Sequence, residues 1–408
     1  LLAEVSEILT IPDVIACRFE DRVTTGLTTV AVLVGTIGYL GAQFLALAIL
    51  LESLFNTREI LGPWSLPVTL MAGTAIVALY SVLGGMVAGI YTDVAQGVLM
   101  LAAALLVFGR ALWVSHGPVA MLSSIGRHEA FAGFFDPLGK GAAVTTLSFF
   151  LIFGVGVLGQ PHMLHKFLML KDPRQLRWLP LALGGSQAIC LLIWVGLGLA
   201  VPALVAQGRM ALLEHPDQAA PQFLLEFCPP LLSGLVVAAV LAAIMSTADS
   251  FLNIGSGVLV RDLPRLAGAR PADRLGPARL ATVGIALIAS TLALGFGDLV
   301  ALLGTFAFGT LAAALAPVFG LGLSWPRVTA KAASASIGTG LAVSLGLEAM
   351  KRVSPTGTLV EIGLAGGTVP SAVALMASFS VLIVVSWLTG RSDQVVVAPE
   401  VLASMESP

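Results

Sequence analysis

Charged side chains are scarce in this chain: Asp, Glu, Lys and Arg together make up 11% of its 408 residues. A soluble globular protein carries about 25% charged residues, so this chain lacks the polar surface that such a fold needs in water. Hydrophobic residues make up 57% of the chain, and its mean hydropathy is +0.97. This balance predicts an all-α polytopic membrane protein whose outer surface is covered by the lipid bilayer.

Cysteine is also rare, and neither sign of charge is in large excess. The three cysteines, Cys17, Cys190 and Cys228, are scattered without the spacing of a zinc site, which argues against a metal centre and against a disulfide framework. The net charge of −2 gives no reason to expect nucleic acid as a partner. The sequence also shows no set of nucleophile and base, so we predict no catalytic residues and no enzyme activity.

Long apolar runs dominate what is present. Each is roughly 20 residues long or more, the length that an α-helix needs to cross a bilayer. They predict ten spans: Thr24–Leu54, Leu66–Met86, Tyr91–Val114, Ala142–Leu168, Leu179–Ala206, Pro230–Leu259, Ala278–Gly297, Leu299–Leu323, Ala330–Leu347 and Val369–Leu388.

The basic residues divide unevenly between the two sets of loops that alternate along these spans. One set carries 14 of the 21 Lys and Arg residues and the other carries seven. The positive-inside rule places the richer set, which includes both chain ends, in the cytoplasm. We therefore expect a multi-pass protein of the bacterial cytoplasmic membrane with both ends of this chain inside.

The fourth span contains residues that weaken a helix. Its segment FGVGVLGQPHMLH, Phe153 to His165, holds three glycines and a proline: Gly154, Gly156, Gly159 and Pro161. Each interior glycine costs a helix roughly 1 kcal/mol relative to alanine, and a proline roughly 3. A break is tolerated in a membrane where protein or a water-filled cavity satisfies the freed backbone groups, as at the binding sites of transporters. The alternative is that the glycines only allow close helix packing.

The sixth span carries hydroxyl groups with helical spacing. Ala243, Ser246, Thr247 and Ser250 fall at i, i+3, i+4 and i+7, on one face of a helix. Two hydroxyls and a nearby carbonyl suit a small hard cation such as Na⁺, which prefers oxygen ligands. The alternative is that the hydroxyls bond to carbonyls one turn earlier.

Four further polar residues lie near or within the spans. Asp249 is 12 residues before Arg261 and hence roughly 18 Å from the inner surface, where an ionised group is costly and indicates function. A structural hydrogen bond to a neighbouring helix is the alternative. His162 lies three residues before His165, but two histidines alone do not make a metal site. Asp93 opens the third span, where the helix dipole favours an acid.

Four segments then match a known family in their order and spacing. LTIPDVIACRFEDR, YSVLGGMVAGIYTDVAQGVLML, GQPHMLHKFL and LAAIMSTADSFLNIGSGVLVRDL together resemble the sodium/solute symporter family, and the similarity runs from Leu9 to about Trp325. The resemblance implies a LeuT-like core of two inverted five-helix repeats. In family members the first of these segments follows the third span, so the resemblance also implies that the first three family helices are missing from this sequence.

The resemblance assigns parts of the chain to this architecture. A single transmembrane domain, 1–408, would contain the remainder of the first repeat in residues 24–114 and the second repeat in residues 142–323. Two trailing helices would occupy residues 330–388, followed by a short cytoplasmic tail at 389–408.

Site residues follow from the same resemblance. The family's sodium site takes one carbonyl and two hydroxyls from the sixth span, which are Ala243, Ser246 and Thr247 here. Asp249 and Ser250 are candidates for a second ion or proton site. The break at Gly154, Gly156, Gly159 and Pro161 would line a substrate cavity. Its substrate-binding residues would be Phe153, Val157 and Gln160, with Tyr80, which matches a tyrosine important in one subgroup.

The leading interpretation is a sodium-coupled symporter that imports a small organic solute, of amino acid or monocarboxylate type, by alternating access. Na⁺ is then the coupling ion, and no other cofactor is expected. Two alternatives remain open from the sequence. One is a transporter-like sensor module of a signalling protein, and the other is a proton-coupled transporter that uses Asp249.

Overall fold

The structure, a computed structural model, describes residues 8–136, 143–169, 172–270, 275–296, 300–353 and 368–390, and every regular element in these ranges is a helix. The predicted tail beyond Gly390 lies outside them. The α-helices of eight residues or more, in chain order, are α1 (Ile11–Phe19), α2 (Arg22–Phe55), α3 (Ser65–Val114), α4 (Pro118–Arg127), α5 (Ala143–Phe150), α6 (Pro161–Leu168), α7 (Leu179–Ala206), α8 (Ala219–Phe227), α9 (Pro230–Gly257), α10 (Leu275–Phe296), α11 (Val300–Pro317), α12 (Ala330–Val353) and α13 (Pro370–Thr389).

Nine helices within the described ranges are long and apolar enough to cross a membrane. They coincide with nine of the ten predicted spans, because in both cases a span is an apolar stretch long enough to cross a bilayer. Their bounds are Arg22–Phe55, Thr57–Gly85, Gly89–Val114, Ala143–Leu168, Arg174–Ala206, Pro230–Leu266, Leu275–Gly295, Leu303–Gly322 and Pro370–Thr389. The remaining predicted span forms the 24-residue helix α12, which is not among the nine.

The chain divides into two compact units. The first consists of Leu1–Ala42, Gly141–Lys171 and Ser250–Pro408, and the second of Gln43–Lys140 and Asp172–Asp249. Each unit therefore combines segments that are far apart in the sequence.

In the first unit, α12 packs on α13 through small polar residues. The hydroxyl of Ser336 lies 2.9 Å from the hydroxyl of Ser378, and each serine also bonds to the other's backbone carbonyl. Gly340 of the same helix touches α11 so closely that a Cβ atom would collide with the carbonyl of Ala313. Small residues and hydroxyls thus bring these helices together, which explains why α12 is less apolar than its neighbours.

In the second unit, the core is a cluster of apolar side chains around α4 and α7. Met121, Ile125, Leu204 and Phe223 are fully or almost fully buried in it. The unit therefore has its own hydrophobic centre.

The helix α3 contains a sharp break that divides it into two spans. Gly85 has φ 62° and ψ −177°, a backbone conformation that only glycine adopts without strain. The two spans on either side, Thr57–Gly85 and Gly89–Val114, are the second and third spans predicted from the sequence. The break places the residues just after Gly89 at the start of a new helical span.

Candidate functional site

In the first unit, the fourth span is interrupted where its glycines and proline lie. The α-helix α5 ends at Phe150, and a π-helical turn, Leu151–Val155, and a 3₁₀ turn, Gly156–Gly159, follow it. Gln160 then has an extended backbone with ψ 109°, and Pro161 starts α6. Proline suits this position, because the first turn of a helix has no partner for its backbone N–H. The interruption leaves carbonyl groups without intrahelical partners.

The three glycines of this segment differ in their surroundings. A Cβ atom on Gly159 would lie 2.6 Å from the backbone nitrogen of Ala316, and one on Gly156 would lie 2.5 Å from the Cβ atom of Ala312. Both glycines therefore allow the interrupted segment to approach α11 closely. Among the described residues, nothing lies within 4 Å of the corresponding position on Gly154. Close packing and interruption thus occur together, and close packing explains only two of the three glycines.

The side chain of Gln160 bridges the interruption. It is fully buried, and its Nε2 atom donates hydrogen bonds to the carbonyls of Gly156, at 3.3 Å, and of Phe308, at 3.0 Å. Its Oε1 atom is buried and accepts no hydrogen bond from the described residues. The amide donor is therefore used on one carbonyl of the interruption and on one carbonyl of α11, while the amide oxygen retains its capacity to accept.

Phe153 lies on the interrupted segment as the sequence predicts and keeps 47% of its surface exposed. Its ring centroid lies 5.0 Å from that of Phe308 and is stacked 6.2 Å from that of Phe149. Val157 follows one turn later and is half-buried. Phe153, Val157 and Gln160 thus all lie on the interrupted segment, within the first unit.

An aromatic cluster next to the interruption was not predicted from the sequence. The ring of Phe251 lies 4.7 Å from the rings of both Tyr39 and His162, and Tyr39 and His162 are 6.0 Å apart. His162 is the second residue of α6, two residues after Gln160. The cluster therefore places three ring-bearing side chains close to the interruption in the same unit. A tyrosine in an otherwise apolar span was the only sequence signal for it.

In the second unit, the predicted sodium ligands lie on one face of α9. The Thr247 hydroxyl donates to the carbonyl of Ala243 at 3.1 Å, which is the local bond that the alternative interpretation expects. This bond uses the hydroxyl proton, so the lone pairs of the Thr247 oxygen remain available to a cation. Ala243, Ser246 and Thr247 are all half-buried.

Asp93 lies beside these residues, although the sequence indicated only an interaction with the helix dipole. The hydroxyl of Ser246 donates to Oδ1 of Asp93 at 2.5 Å. A carboxylate bonded to one of the predicted ligands adds a negative charge where a cation would bind. The sequence could have suggested Asp93 only through its place after the helix break.

Asp249 is almost completely buried in the second unit, with 6% of its surface exposed. It approaches the broken part of α3, where a Cβ atom on Gly89 would lie 2.7 Å from Asp249 Oδ2. Ser250, the next residue, is half-buried and belongs to the part of α9 in the first unit. The close approach to α3 agrees with a role for Asp249 in joining neighbouring helices.

Tyr80 lies five residues before the break in α3. Its hydroxyl is 2.6 Å from the hydroxyl of Thr92, which follows the break and itself donates to the carbonyl of Gly89. Within the second unit, Tyr80 thus joins the two spans next to Asp93. Phe153, Val157 and Gln160 lie in the other unit.

Comparison with known proteins identifies the family. Residues 3–340 match the model of the sodium:solute symporter family. The chain is 26% identical over 348 residues to a sodium/pantothenate symporter of Haemophilus influenzae, covering 84% of this chain and 69% of the relative. It is 29% identical over 360 residues to the osmoregulated proline transporter OpuE of Bacillus subtilis, covering 83% and 67%. To the sodium/proline symporter of Escherichia coli it is 27% identical over 359 residues, covering 81% and 65%.

This chain therefore spans about two thirds of the length of these relatives. A solved structure of a Na⁺-coupled sialic acid symporter in a substrate-bound, outward-open state superposes with a TM-score of 0.69 at 19% identity, covering 94% of this chain and 78% of that one. The predicted LeuT-like, all-helical fold is confirmed. Because the family consists of transporters, the prediction that the chain is not an enzyme is confirmed as well. The chain belongs to the sodium:solute symporter family.

Proposed function

We propose that this chain imports a small neutral, zwitterionic or singly charged organic solute, together with Na⁺, across a bacterial cytoplasmic membrane by alternating access. Sodium-coupled solute transport is the activity of its family. The observation that supports the sodium site most directly is the bond between Ser246 and Asp93. It adds a carboxylate to the oxygen atoms predicted as ligands.

The proposed sodium site uses the carbonyl of Ala243 and the hydroxyls of Ser246 and Thr247. These are oxygen ligands of the kind that a hard cation prefers. Asp93 offsets the charge of the ion, which matters because a cation away from water needs an anionic partner. Both hydroxyls donate their protons to oxygen acceptors in the protein, so their lone pairs are free to face Na⁺.

The proposed solute site lies at the interruption of the fourth span, where Gln160 Oε1 is buried and accepts no hydrogen bond from the described residues; a rearrangement that exposes it during transport would offer an acceptor to an N–H or O–H of the solute. Phe153 and Val157 provide apolar surface, and the cluster of Tyr39, His162 and Phe251 adds aromatic surface nearby. No lysine or arginine occurs among these residues, so a multiply charged anion would lack a partner. Proline and pantothenate, the solutes in the names of the relatives, both satisfy this restriction.

The test is uptake into proteoliposomes that contain the complete gene product. An inward Na⁺ gradient should drive accumulation of labelled proline or pantothenate, and unlabelled amino acids and monocarboxylates should compete. Dissipating the Na⁺ gradient should abolish accumulation. Competition by phosphorylated sugars or dicarboxylates, with none by amino acids or monocarboxylates, would contradict the proposed solute class.

A second candidate is proton coupling through Asp249, favoured by the burial of this carboxyl group within a membrane span. In that case a proton gradient alone, without Na⁺, should drive uptake in the same proteoliposomes.

The proposed orientation, with both ends of this chain in the cytoplasm, can be tested by cysteine labelling. A cysteine introduced into the linker between Arg261 and Arg279 should react only from the cytoplasmic side.

A further inference from the structure

A pocket of about 360 Å³ opens in the first unit between α1 and the segment that continues α9. This segment, the α9 extension, is a π-helical turn, Val258–Asp262, followed by a short helix, Leu263–Leu266. The volume of the pocket lies within the usual range of small-molecule sites, roughly 300–1,000 Å³. None of the residues proposed above to bind Na⁺ or the solute lines this pocket.

Charged side chains dominate its wall, and acidic groups outnumber basic ones by four to two. The lining includes Asp13, Glu20, Asp21, Arg22, Asp262 and Arg265.

Two arginines of the α9 extension are both engaged by a single carboxylate of α1. Nη1 of Arg261 lies 2.7 Å from Oδ2 of Asp13, and Nη1 of Arg265 lies 3.0 Å from its Oδ1. Asp13 also accepts hydrogen bonds from the backbone N–H groups of Leu9 and Thr10, within the capping box of α1. Both carboxylate oxygens of Asp13 therefore accept hydrogen bonds, and this one carboxylate pairs with both guanidinium groups of the α9 extension.

Asp262, between those arginines in the sequence, forms no ion pair with a described residue. It is only 4% exposed, and its Oδ1 atom accepts one hydrogen bond, from the Thr10 hydroxyl at 3.1 Å. Its Oδ2 atom is buried and accepts no hydrogen bond from any described residue. The ionised form of a buried carboxyl group is unfavourable when no cationic group is bonded to it directly. A cationic group in the pocket would remove this deficit.

The size of the pocket indicates the kind of cation. A water molecule takes about 30 Å³ of liquid volume, so the pocket is far larger than a bare ion needs. The described part of the chain also contains no group of three or more His, Cys, Asp or Glu residues that could hold a metal. An organic molecule with a primary ammonium group fits better, because its N–H donors can meet Asp262 while its body fills the remaining space.

We propose that this pocket binds a small organic cation carrying a primary ammonium group, anchored by Asp262. The excess of acidic groups, with Glu20 and Asp21 on the same wall, favours a diamine over a monoamine. Because α1 and the α9 extension both form the pocket, an occupant would hold these two segments together. The site lies near the basic loops that are predicted to be cytoplasmic, so it would respond to amines inside the cell.

Calorimetric titration of the complete purified protein in lipid nanodiscs tests this proposal, with 1,4-diaminobutane as the probe. Wild-type protein should bind it saturably, and butane-1,4-diol, which has no charge, should give no saturable signal. Asp262→Asn should weaken binding by at least about tenfold, whereas the exposed control Glu129→Gln should bind like wild type. The amide oxygen that Asp262→Asn introduces can still accept from the Thr10 hydroxyl, so the variant is expected to fold.

Ala16→Leu, which adds volume at the wall of the pocket, provides an independent variant that leaves Asp262 intact. It should also reduce binding of the diamine, and thermal unfolding of each variant without ligand confirms that it is folded. The proposal is overturned if wild-type protein shows no saturable binding, or if Asp262→Asn binds the diamine as tightly as wild type. It is also overturned if NaCl alone saturates the same Asp262-dependent site.

Discussion

The hydroxyl of Ser246 and the carboxylate of Asp93 lie 2.5 Å apart, although 153 residues separate them in the sequence. The bond joins α9 to the span that follows the break in α3, within a single compact unit. A serine that donates to a carboxylate carries extra negative charge on its oxygen, which makes it a better ligand for a cation. The proposed sodium site therefore depends on two helices of this unit.

The first prediction concerns the two hydroxyls of this site. Ser246→Ala and Thr247→Ala should each raise the Na⁺ concentration for half-maximal uptake by about tenfold, because each removes one oxygen ligand, a change of ~1.4 kcal/mol. The measurement is solute uptake as a function of Na⁺ concentration. Ser256→Ala is the matched control, since its hydroxyl donates to the carbonyl of Asn253 on the same helix. Unchanged sodium dependence in both variants would show that the hydroxyls are structural.

The second prediction concerns the charge of Asp93. Asp93→Asn preserves the shape of the side chain and can still accept from Ser246, but it removes the negative charge. We expect the half-saturating Na⁺ concentration to rise by about tenfold. Direct binding of Na⁺ to purified protein, followed by the resulting thermal stabilisation, separates this effect from slower transport. An Asp93→Asn protein that Na⁺ stabilises as well as wild type would exclude Asp93 from the site.

The third prediction separates the possible roles of Asp249. If Asp249 carries the coupling proton, Asp249→Asn should abolish uptake driven by a proton gradient alone. If it is a protonation site in a Na⁺-coupled transporter, Asp249→Asn should make uptake independent of pH while uptake still requires Na⁺. If its role is to join helices, Gly89→Ala should lower thermal stability as much as Asp249→Asn does, because a Cβ atom at Gly89 would displace the carboxylate of Asp249. Gly97→Ala, on the same helix, is the control, since nothing among the described residues lies within 4 Å of its Cβ position. Uptake as a function of pH and thermal unfolding distinguish the outcomes.

The fourth prediction concerns the glycines of the interrupted span. Gly159→Ala should destabilise the protein by about 1–3 kcal/mol, because the added methyl group overlaps the backbone of α11. Gly154→Ala should leave stability unchanged or raise it, since alanine favours a helix and its position faces no described atom. Thermal unfolding of both variants in the same detergent tests this difference. Equal effects would mean that the two glycines have the same role.

The fifth prediction concerns solute preference. Phe153→Ala should weaken binding of every transported solute, because the exposed half of the ring provides apolar surface at the interruption. Val157→Tyr should instead change the order of preference, since it narrows the space beside Gln160. A competition panel of unlabelled amino acids and monocarboxylates measures both effects. If Phe153→Ala leaves all of the apparent affinities unchanged, the ring does not contact the solute.

The membrane spans were largely predictable, because the length of each apolar run can be read directly from the sequence. The interruption of the fourth span was also visible, since Gly154, Gly156, Gly159 and Pro161 each weaken a helix wherever they occur. The role of Gln160 was less visible. Its bond to the carbonyl of Phe308 depends on how α11 packs against the interruption, which no local pattern encodes.

Pairings between distant spans could not be predicted in this way. Asp93 was interpreted as an acid near a helix N-terminus, and only packing shows that it meets Ser246. Tyr39 and Phe251 each lie in an apolar run where an aromatic residue is unremarkable. Arg261 pairs with Asp13, which lies 248 residues away in the sequence. Long-range packing therefore decides which polar groups are satisfied.

The serine contacts between α12 and α13 have a consequence for how the protein enters the membrane. α12 is not among the nine helices in the described ranges that are long and apolar enough to cross a membrane, and its Ser336 hydroxyl bonds, among the described residues, to Ser378. The ribosome makes α13 after α12, so this partner does not yet exist when α12 leaves the exit tunnel. Until then the Ser336 hydroxyl can bond only within its own helix or to water, so we expect α12 to reach its final position in the membrane together with α13.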